Sequence, residues 1–361
     1  MIPLHKVLMA PNVAEEVGKV LNSGYVAQGP KVEEFEDALE KVLGARVLTV
    51  NSGTSALELA YHLVGIGPGD YVISTPCTCT ATNTPLGRRH ANILWADVDP
   101  ITGNIDPQSV ARILATHDNV KAIVAVDWAG RPCDYTALRE VAGDIPIIED
   151  AAHAFGATYN KKPLGQSPAD YVCWSFQAIK HLNTGDGGAI CVPFNEITRA
   201  RKLRWFGMDR EPGAHFKQNI TEAGYKFHMN DIAATIGLAN LSSARAAVDQ
   251  QRDNARYYHK HLKDACIVPP PSDESSWWLY CIKVSSRNAF LQFAKEKGFE
   301  SSPVHGRNDK HWALNGVSCH QLVGVEQFSL AQTAIPCGWW VSREDMDLII
   351  NAIKEWWRYD Y

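Results

Sequence analysis

The sequence predicts an α/β protein: a large domain over residues 1–245, built on a mainly parallel sheet flanked by helices, and a smaller C-terminal α+β domain over residues 246–361. Three observations lead there. Short apolar runs bounded by turn residues alternate with segments of helical period, the signature of βαβ units. The runs are continuous rather than alternating, as in strands buried on both faces. Past Thr198 the character changes, and Pro269-Pro270-Pro271 interrupts the pattern. With 361 residues and 45% hydrophobic content, the chain is too long for one small domain.

The elements follow in order. Val13 to Leu21 has helical period and stops at Asn22-Ser23-Gly24. Lys31 to Leu43 is a second helix, with Val32, Phe35, Leu39 and Val42 on one stripe. Arg46 to Val50 is a short strand entering Asn51-Ser52-Gly53-Thr54, and a helix over Ser55 to Val64 follows at once. The pattern repeats with strands at Tyr71 to Thr75, Ile93 to Val98, Val120 to Val126 and Ile145 to Ile148, and a helix at Val110 to Leu114. Tyr171 to Phe176 is a further apolar stretch. Beyond it, helices are expected at Ile232 to Leu241 and Ala244 to Leu262, a strand at Trp277 to Val284, and helices at Arg287 to Lys297 and Arg343 to Tyr359.

Composition narrows the function classes. A formal charge of −5, from 35 basic and 40 acidic residues, offers no broad attraction to nucleic acid or a membrane surface. Nine cysteines, an odd number without a CxxC pair, speak against a disulfide framework and for a reducing compartment. The N-terminal stretch has no signal-peptide layout, and no apolar run approaches a membrane span. A cytoplasmic protein is expected. His305, His311 and His320 lack metal-ligand spacing, and neither GxSxG nor GxxxxGK[ST] occurs.

Four segments carry candidate chemistry. Asn51-Ser52-Gly53-Thr54 stands where a strand turns into a helix, so its N–H groups and the helix dipole suit an anion, with hydroxyls from Thr54 and Ser55; an ordinary capped helix has the same signature. Asp150, in Glu149-Asp150-Ala151-Ala152-His153, closes an apolar run, at the strand edge where open α/β sheets bind ligands. A carboxylate there suits a protonated ring nitrogen, with His153 on the same side; a solvated acid and a core histidine read alike. Lys180, in Ser175-Phe176-Gln177-Ala178-Ile179-Lys180, lies among apolar residues that lower a lysine's pKa and favour Schiff-base chemistry, although most lysines are surface residues. Ser175 is placed to reach a phosphate. Gly185-Asp186-Gly187-Gly188 adds a turn that allows close backbone approach.

Taken in order, these segments resemble the DegT/DnrJ/StrS family of sugar aminotransferases. The likeness spans almost the whole chain: Ser23-Gly24-Tyr25, Phe35-Glu36, NSGT, Gly65-Ile66-Gly67-Pro68-Gly69-Asp70, Asp97-Val98-Asp99-Pro100, EDAAHAFGATY, SFQAIK, GDGG, Gly224 to Ile232, and Gly237-Leu238. The resemblance implies the fold-type-I aminotransferase fold, a homodimer with shared sites, and pyridoxal 5'-phosphate as cofactor. It implies Lys180 as the Schiff-base lysine, Asp150 on the pyridine nitrogen, His153 near the ring hydroxyl, and Gly53, Thr54 and Ser175 on the phosphate, beside the Ser55 hydroxyl read from the helix start. Tyr25, Arg131, His181, His305 and Arg307 are expected on the substrate side.

The implied reaction is a ping-pong transfer of an amino group from glutamate to a nucleotide-linked keto-sugar, at carbon 4 of a 4-keto-6-deoxyhexose, with Lys180 as general base. A 3-keto sugar or cyclitol acceptor and a non-catalytic cofactor-binding regulator are the alternatives. Family dehydratases carry His where this chain has Lys180. Three departures stand out. The stretch Pro76-Cys77-Thr78-Cys79-Thr80 lacks the family's stacking aromatic, leaving Cys79 or Thr78 to cover the ring face. Lys226 replaces an Asn that reaches the partner subunit's cofactor phosphate. Asp127-Trp128-Ala129-Gly130-Arg131 replaces His-Leu-Tyr-Gly-Gln beside the substrate.

Overall fold

The computed structural model describes residues 1–209, 218–314 and 316–359. Helices α1 (Val13–Ser23) and α2 (Pro30–Leu43) lead into β1 (Val47–Val50). Alternation follows through α3 (Gly53–Val64), β2 (Tyr71–Ser74), α4 (Thr80–Arg88), β3 (Asn92–Trp95), α5 (Pro107–Leu114), β4 (Val120–Val126), α6 (Tyr135–Ala142) and β5 (Ile147–Asp150). A small hairpin, β6 (Thr158–Tyr159) and β7 (Lys162–Pro163), precedes β8 (Tyr171–Ser175), β9 (Gly188–Cys191) and α7 (Ile197–Leu203). The C-terminal part comprises α8 (Asp231–Leu262), β10 (Tyr280–Lys283), α9 (Arg287–Glu296), β11 (Gly316–Val317), α10 (Val323–Ala331), β12 (Gln332–Ile335) and α11 (Arg343–Tyr359).

Among the described residues the main sheet has the order β1-β9-β8-β5-β4-β2-β3-β11. Its neighbours are parallel except where β9 pairs antiparallel with β1 and β8. Both faces are covered, which is why the strands read as unbroken apolar runs. Along β2, Val72 joins one core cluster and Ile73 the cluster on the opposite face; Ile93 and Leu94 of β3 divide in the same way. A separate apolar cluster joins the second half of α8 to β10, α9, β12 and α11, around Tyr258, Tyr280, Phe290 and Ile349.

Two expectations change. The helices expected at 232–241 and 244–262 are one 32-residue helix, α8, which runs through residue 245. Ser242 and Ser243 cost a helix only tenths of a kcal/mol each, about 0.5. Packing on buried Asn240, Ala244, Ala247 and Val248 carries the helix past them. The strand expected from Trp277 begins at Tyr280, because Trp277 has a positive φ of 53°.

The reversed strand β9 shapes the functional edge. Gly188 pairs with both Val50 and Ser175, the last residues of β1 and β8. Residues 176–187 must therefore loop over the carboxyl edge of the parallel strands. Buried Phe176 anchors the loop, with Phe176 N donating to Gly187 O (2.8 Å) and Thr184 N to Phe176 O (2.9 Å). Lys180 lies at the middle of that loop.

Candidate active site

A cavity of about 820 Å³ opens at this edge. Its floor comes from four strand ends. After β1, Ser52 caps α3 by accepting from Ser55 N (3.1 Å), leaving Gly53 and Thr54 at the cavity wall. The backbone approaches closely here. A Cβ at Gly53 would meet Ser175 Cβ at 2.7 Å, and one at Gly188 would meet the Ser52 carbonyl at 2.6 Å. Only glycine permits that convergence, and the result is a donor-rich pocket at a helix N-terminus.

Asp150 ends β5, and its buried carboxylate lines the same cavity. Thr82 Oγ1 donates to Oδ2 (2.7 Å) and Ala152 N to Oδ1 (3.1 Å). Thr82 is steadied in turn by the Thr78 hydroxyl (2.8 Å). Burial pushes the Asp150 pKa upward, opposed by these hydrogen bonds and by the Lys180 charge.

Lys180 faces the cavity at its amine end and is otherwise enclosed by protein. Desolvation lowers its pKa to about 8, with Asp150 and Cys79 pulling the other way. Its Nζ lies 3.7 Å from the centre of the Trp278 indole. The His153 ring stacks on Trp278 at 4.0 Å and lies nearly parallel to His305 at 5.7 Å. His153 Nδ1 is buried with no hydrogen-bond partner among the described residues. Burial holds His153 well below its ordinary pKa and His305 at about 4, so both rings are neutral near pH 7.

The structure therefore gathers Gly53, Thr54, Cys79, Asp150, His153, Ser175, Lys180 and His305 around one space. Other candidates fall outside it. Ser55 points back into the cap, donating to Asn51 Oδ1 (2.6 Å). Lys226 is exposed, while its carbonyl accepts from Asn51 Nδ2 (3.2 Å) beside the cradle. Tyr25 is 78% exposed.

Arg131, His181 and Arg307, expected to contact substrate, are engaged elsewhere. The Arg131 guanidinium lies over Trp277 at 5.2 Å and donates to the Pro270 carbonyl. His181 is buried beside Gln251, outside the cavity wall. Arg307 is ion-paired with Asp309 (2.7 Å) and with Glu326, which hold its pKa above the ordinary value. Asp127, expected beside the substrate, is wholly buried.

Sequence reasoning missed Trp278, Thr82, His5 and Gln177, of which Trp278, His5 and Gln177 line the cavity. Trp278 stood only as part of a strand candidate. Thr82 sits one turn into α4, on the segment that follows Pro76, and that position was its one available signal.

Comparison with known proteins places the chain in a family. The DegT/DnrJ/EryC1/StrS aminotransferase family matches residues 8–354. The spore coat polysaccharide biosynthesis protein SpsC of Bacillus subtilis (strain 168) is 33% identical over 302 residues, covering 80% of this chain and 77% of that protein. The sugar aminotransferase CalS13 from Micromonospora echinospora superposes with a TM-score of 0.92 at 34% identity, over 98% of this chain and 100% of that one. The putative sugar aminotransferase Spr1654 from Streptococcus pneumoniae, solved in a PLP form, gives 0.91 at 26% identity, over 100% and 99% of the two chains. The chain belongs to the DegT/DnrJ/EryC1/StrS aminotransferase family, whose aminotransferases depend on pyridoxal phosphate.

Proposed function

We propose that this aminotransferase moves an amino group from glutamate to a nucleotide-linked keto-sugar, at carbon 4 of a 4-keto-6-deoxyhexose. The observation that carries the reading is the convergence of Lys180, Asp150 and the Gly53–Thr54–Ser175 cradle on one cavity. The names of SpsC and CalS13 place relatives in polysaccharide biosynthesis and sugar amination, which supports a sugar acceptor.

The residues present fit pyridoxal phosphate. The cradle offers helix N–H groups and hydroxyls with room that any Cβ would fill. Asp150 supplies the carboxylate for a ring nitrogen, and the unpartnered Nδ1 of His153 suits a ring hydroxyl. When bound, the cofactor's ring withdraws the electron pair released at the donor's α carbon. The chain's own residues do the rest. Lys180 would hold the cofactor through its amine and would serve as the general base that moves the proton. Asp150 would keep the ring nitrogen charged, and Cys79 would cover part of the ring face. Neutral His305 offers the acceptor sugar a hydrogen bond. Lys226 and Tyr25, exposed beside the cradle and on the preceding segment, serve a second copy of the chain in a homodimer.

Two measurements test this. Borohydride reduction of the cofactor-loaded protein, followed by peptide mass spectrometry, places a covalent label on Lys180; a label elsewhere or none ends the reading. Glutamate then converts the loaded enzyme to its amine form, and a panel of nucleotide-linked 4-keto and 3-keto sugars returns it. Return by 3-keto sugars alone overturns the carbon-4 assignment.

A further inference from the structure

Trp278 occupies the cavity wall directly against Lys180. Its indole N–H donates to the carbonyl of Ile179 (3.0 Å), the residue immediately before the lysine. The ring is also stacked with His5 (5.1 Å) and His153 (4.0 Å), each 24° from coplanar. The indole is thus tethered to the same dipeptide whose amine it faces, and only 5% of its surface is exposed. Among the described residues no side chain accepts a hydrogen bond from Lys180 Nζ, and its one close electrostatic contact is the indole face at 3.7 Å.

We propose that Trp278 is a positioning residue whose indole face seats the Lys180 amine whenever that amine is not joined to the cofactor, and favours its protonated form there. The inference rests on the reading of Lys180 as the cofactor-bearing lysine. An ammonium in an apolar wall needs a compensating negative surface, and an aromatic quadrupole provides one, most strongly for Trp. The other groups facing the amine leave this role open. Asp150 and Cys79 attract the charge from a distance, and Asp186 lines the rim of the same cavity. His5, His153, His181 and His305 all carry pKa values lowered by burial, so they add no positive charge near neutral pH. A leucine in place of Trp278 would keep the wall apolar but remove the seat. As general base, Lys180 would hold the donor's α-carbon proton only between taking it up and passing it on within the same half-reaction, and the seat steadies the charged amine in that interval.

The test reads Lys180 in cofactor-free protein. The pH dependence of its acetylation by trace acetic anhydride, followed by peptide mass spectrometry, gives its pKa in the wild type, Trp278→Phe and Trp278→Leu. In Trp278→Leu the pKa falls by about one pH unit, so labelling below that pKa is about tenfold faster. Trp278→Phe keeps a ring in the same space and falls in the same direction by less, which covers a leucine variant that does not fold. An unchanged or raised pKa in the variants overturns the proposal. This outcome is separate from the borohydride result: a wild type that takes no label at Lys180 removes the cofactor role, whereas the acetylation profile still reports whether the indole holds the amine.

Discussion

In the proposed reading Lys180 reacts only as the free amine, so its environment sets the pH at which the enzyme can be loaded. Its pKa is lowered to about 8 by desolvation. The sign follows directly: below that value most of the residue is ammonium and unreactive. In cofactor-free protein, the rate of covalent capture of pyridoxal phosphate should rise about tenfold per pH unit below pH 8 and level off above it. Stopped-flow absorbance across pH 6–10 checks this, and a midpoint near the ordinary lysine value would show an amine that is not desolvated. Asp150 is the second residue to which the proposed reading gives a single task. Asp150→Asn keeps the shape and the Ala152 contact but removes the charge. Loss of one charge-assisted bond, about 1.5–3 kcal/mol, should lower the glutamate half-reaction about ten- to a hundredfold. A smaller effect on cofactor affinity than on rate would locate the loss in the chemistry. Both residues were legible in the sequence because chemistry gathers at the ends of parallel strands, and each follows an apolar run. Trp278 and Thr82 were not, since Thr82 meets Asp150 across 68 residues and Trp278 meets Lys180 across 98. Those meetings depend on strand order, which local pattern does not encode.

At the scale of elements, long periodic helices and the apolar parallel strands were readable, and β4 matches its expected limits of Val120 to Val126. The short strand β9 begins at the last residue of a glycine-rich turn and was not read as a strand, yet it decides where Lys180 stands. Such a segment becomes a strand by lying between β1 and β8 rather than by its own propensity. A second long-range device joins α2 to α8. Asp231, buried at the first position of α8, reaches back to the start of α2. Its Oδ1 accepts from Gly29 N (2.7 Å) and Val32 N (3.2 Å), and its Oδ2 from Lys31 N (3.3 Å). Gly29 contributes no side-chain cap of its own, so the cap of one helix is supplied by another some 200 residues away. Removing it leaves buried N–H groups without an acceptor. Asp231→Ala should therefore destabilise the fold by about 1–3 kcal/mol, measured as a lower urea midpoint with an unchanged slope. Asp231→Asn, which retains an acceptor oxygen, should lose less; equal losses would assign the effect to packing instead.

At the scale of the whole molecule, the centre of the sheet carries a proton as well as a core. Asp127 follows β4 and Glu149 lies in β5, and both are fully buried. Asp127 Oδ1 accepts from Cys133 N (2.9 Å) and Tyr135 Oη (2.8 Å), and Glu149 Oε2 from Ser167 Oγ (2.5 Å). The remaining oxygens, Asp127 Oδ2 and Glu149 Oε1, have no hydrogen-bond partner among the described residues, and the two carboxyl groups perturb each other's ionisation. Two such groups cannot both ionise beside Asp150, so they share a proton. The sequence showed three acids near two strand ends but not that two of them face inward, because adjacent residues on a strand point to opposite sides. Burial raises Asp127 from 3.8 to about 6, and Glu149 is raised well above its ordinary value, with burial the first cause. Below about pH 4 both groups are protonated in folded and unfolded chains alike, and the pair costs nothing. Between about pH 4 and 6 the unfolded chain ionises first, so the pair lowers stability as the pH rises. Asp127→Asn removes one proton-binding group, keeps the acceptor for Cys133 and Tyr135, and donates to Glu149. The variant should gain stability relative to the wild type as pH goes from 4 to 8, seen as a urea midpoint difference that grows with pH. A difference that stays constant over that range would show that no proton is shared between these two carboxyl groups.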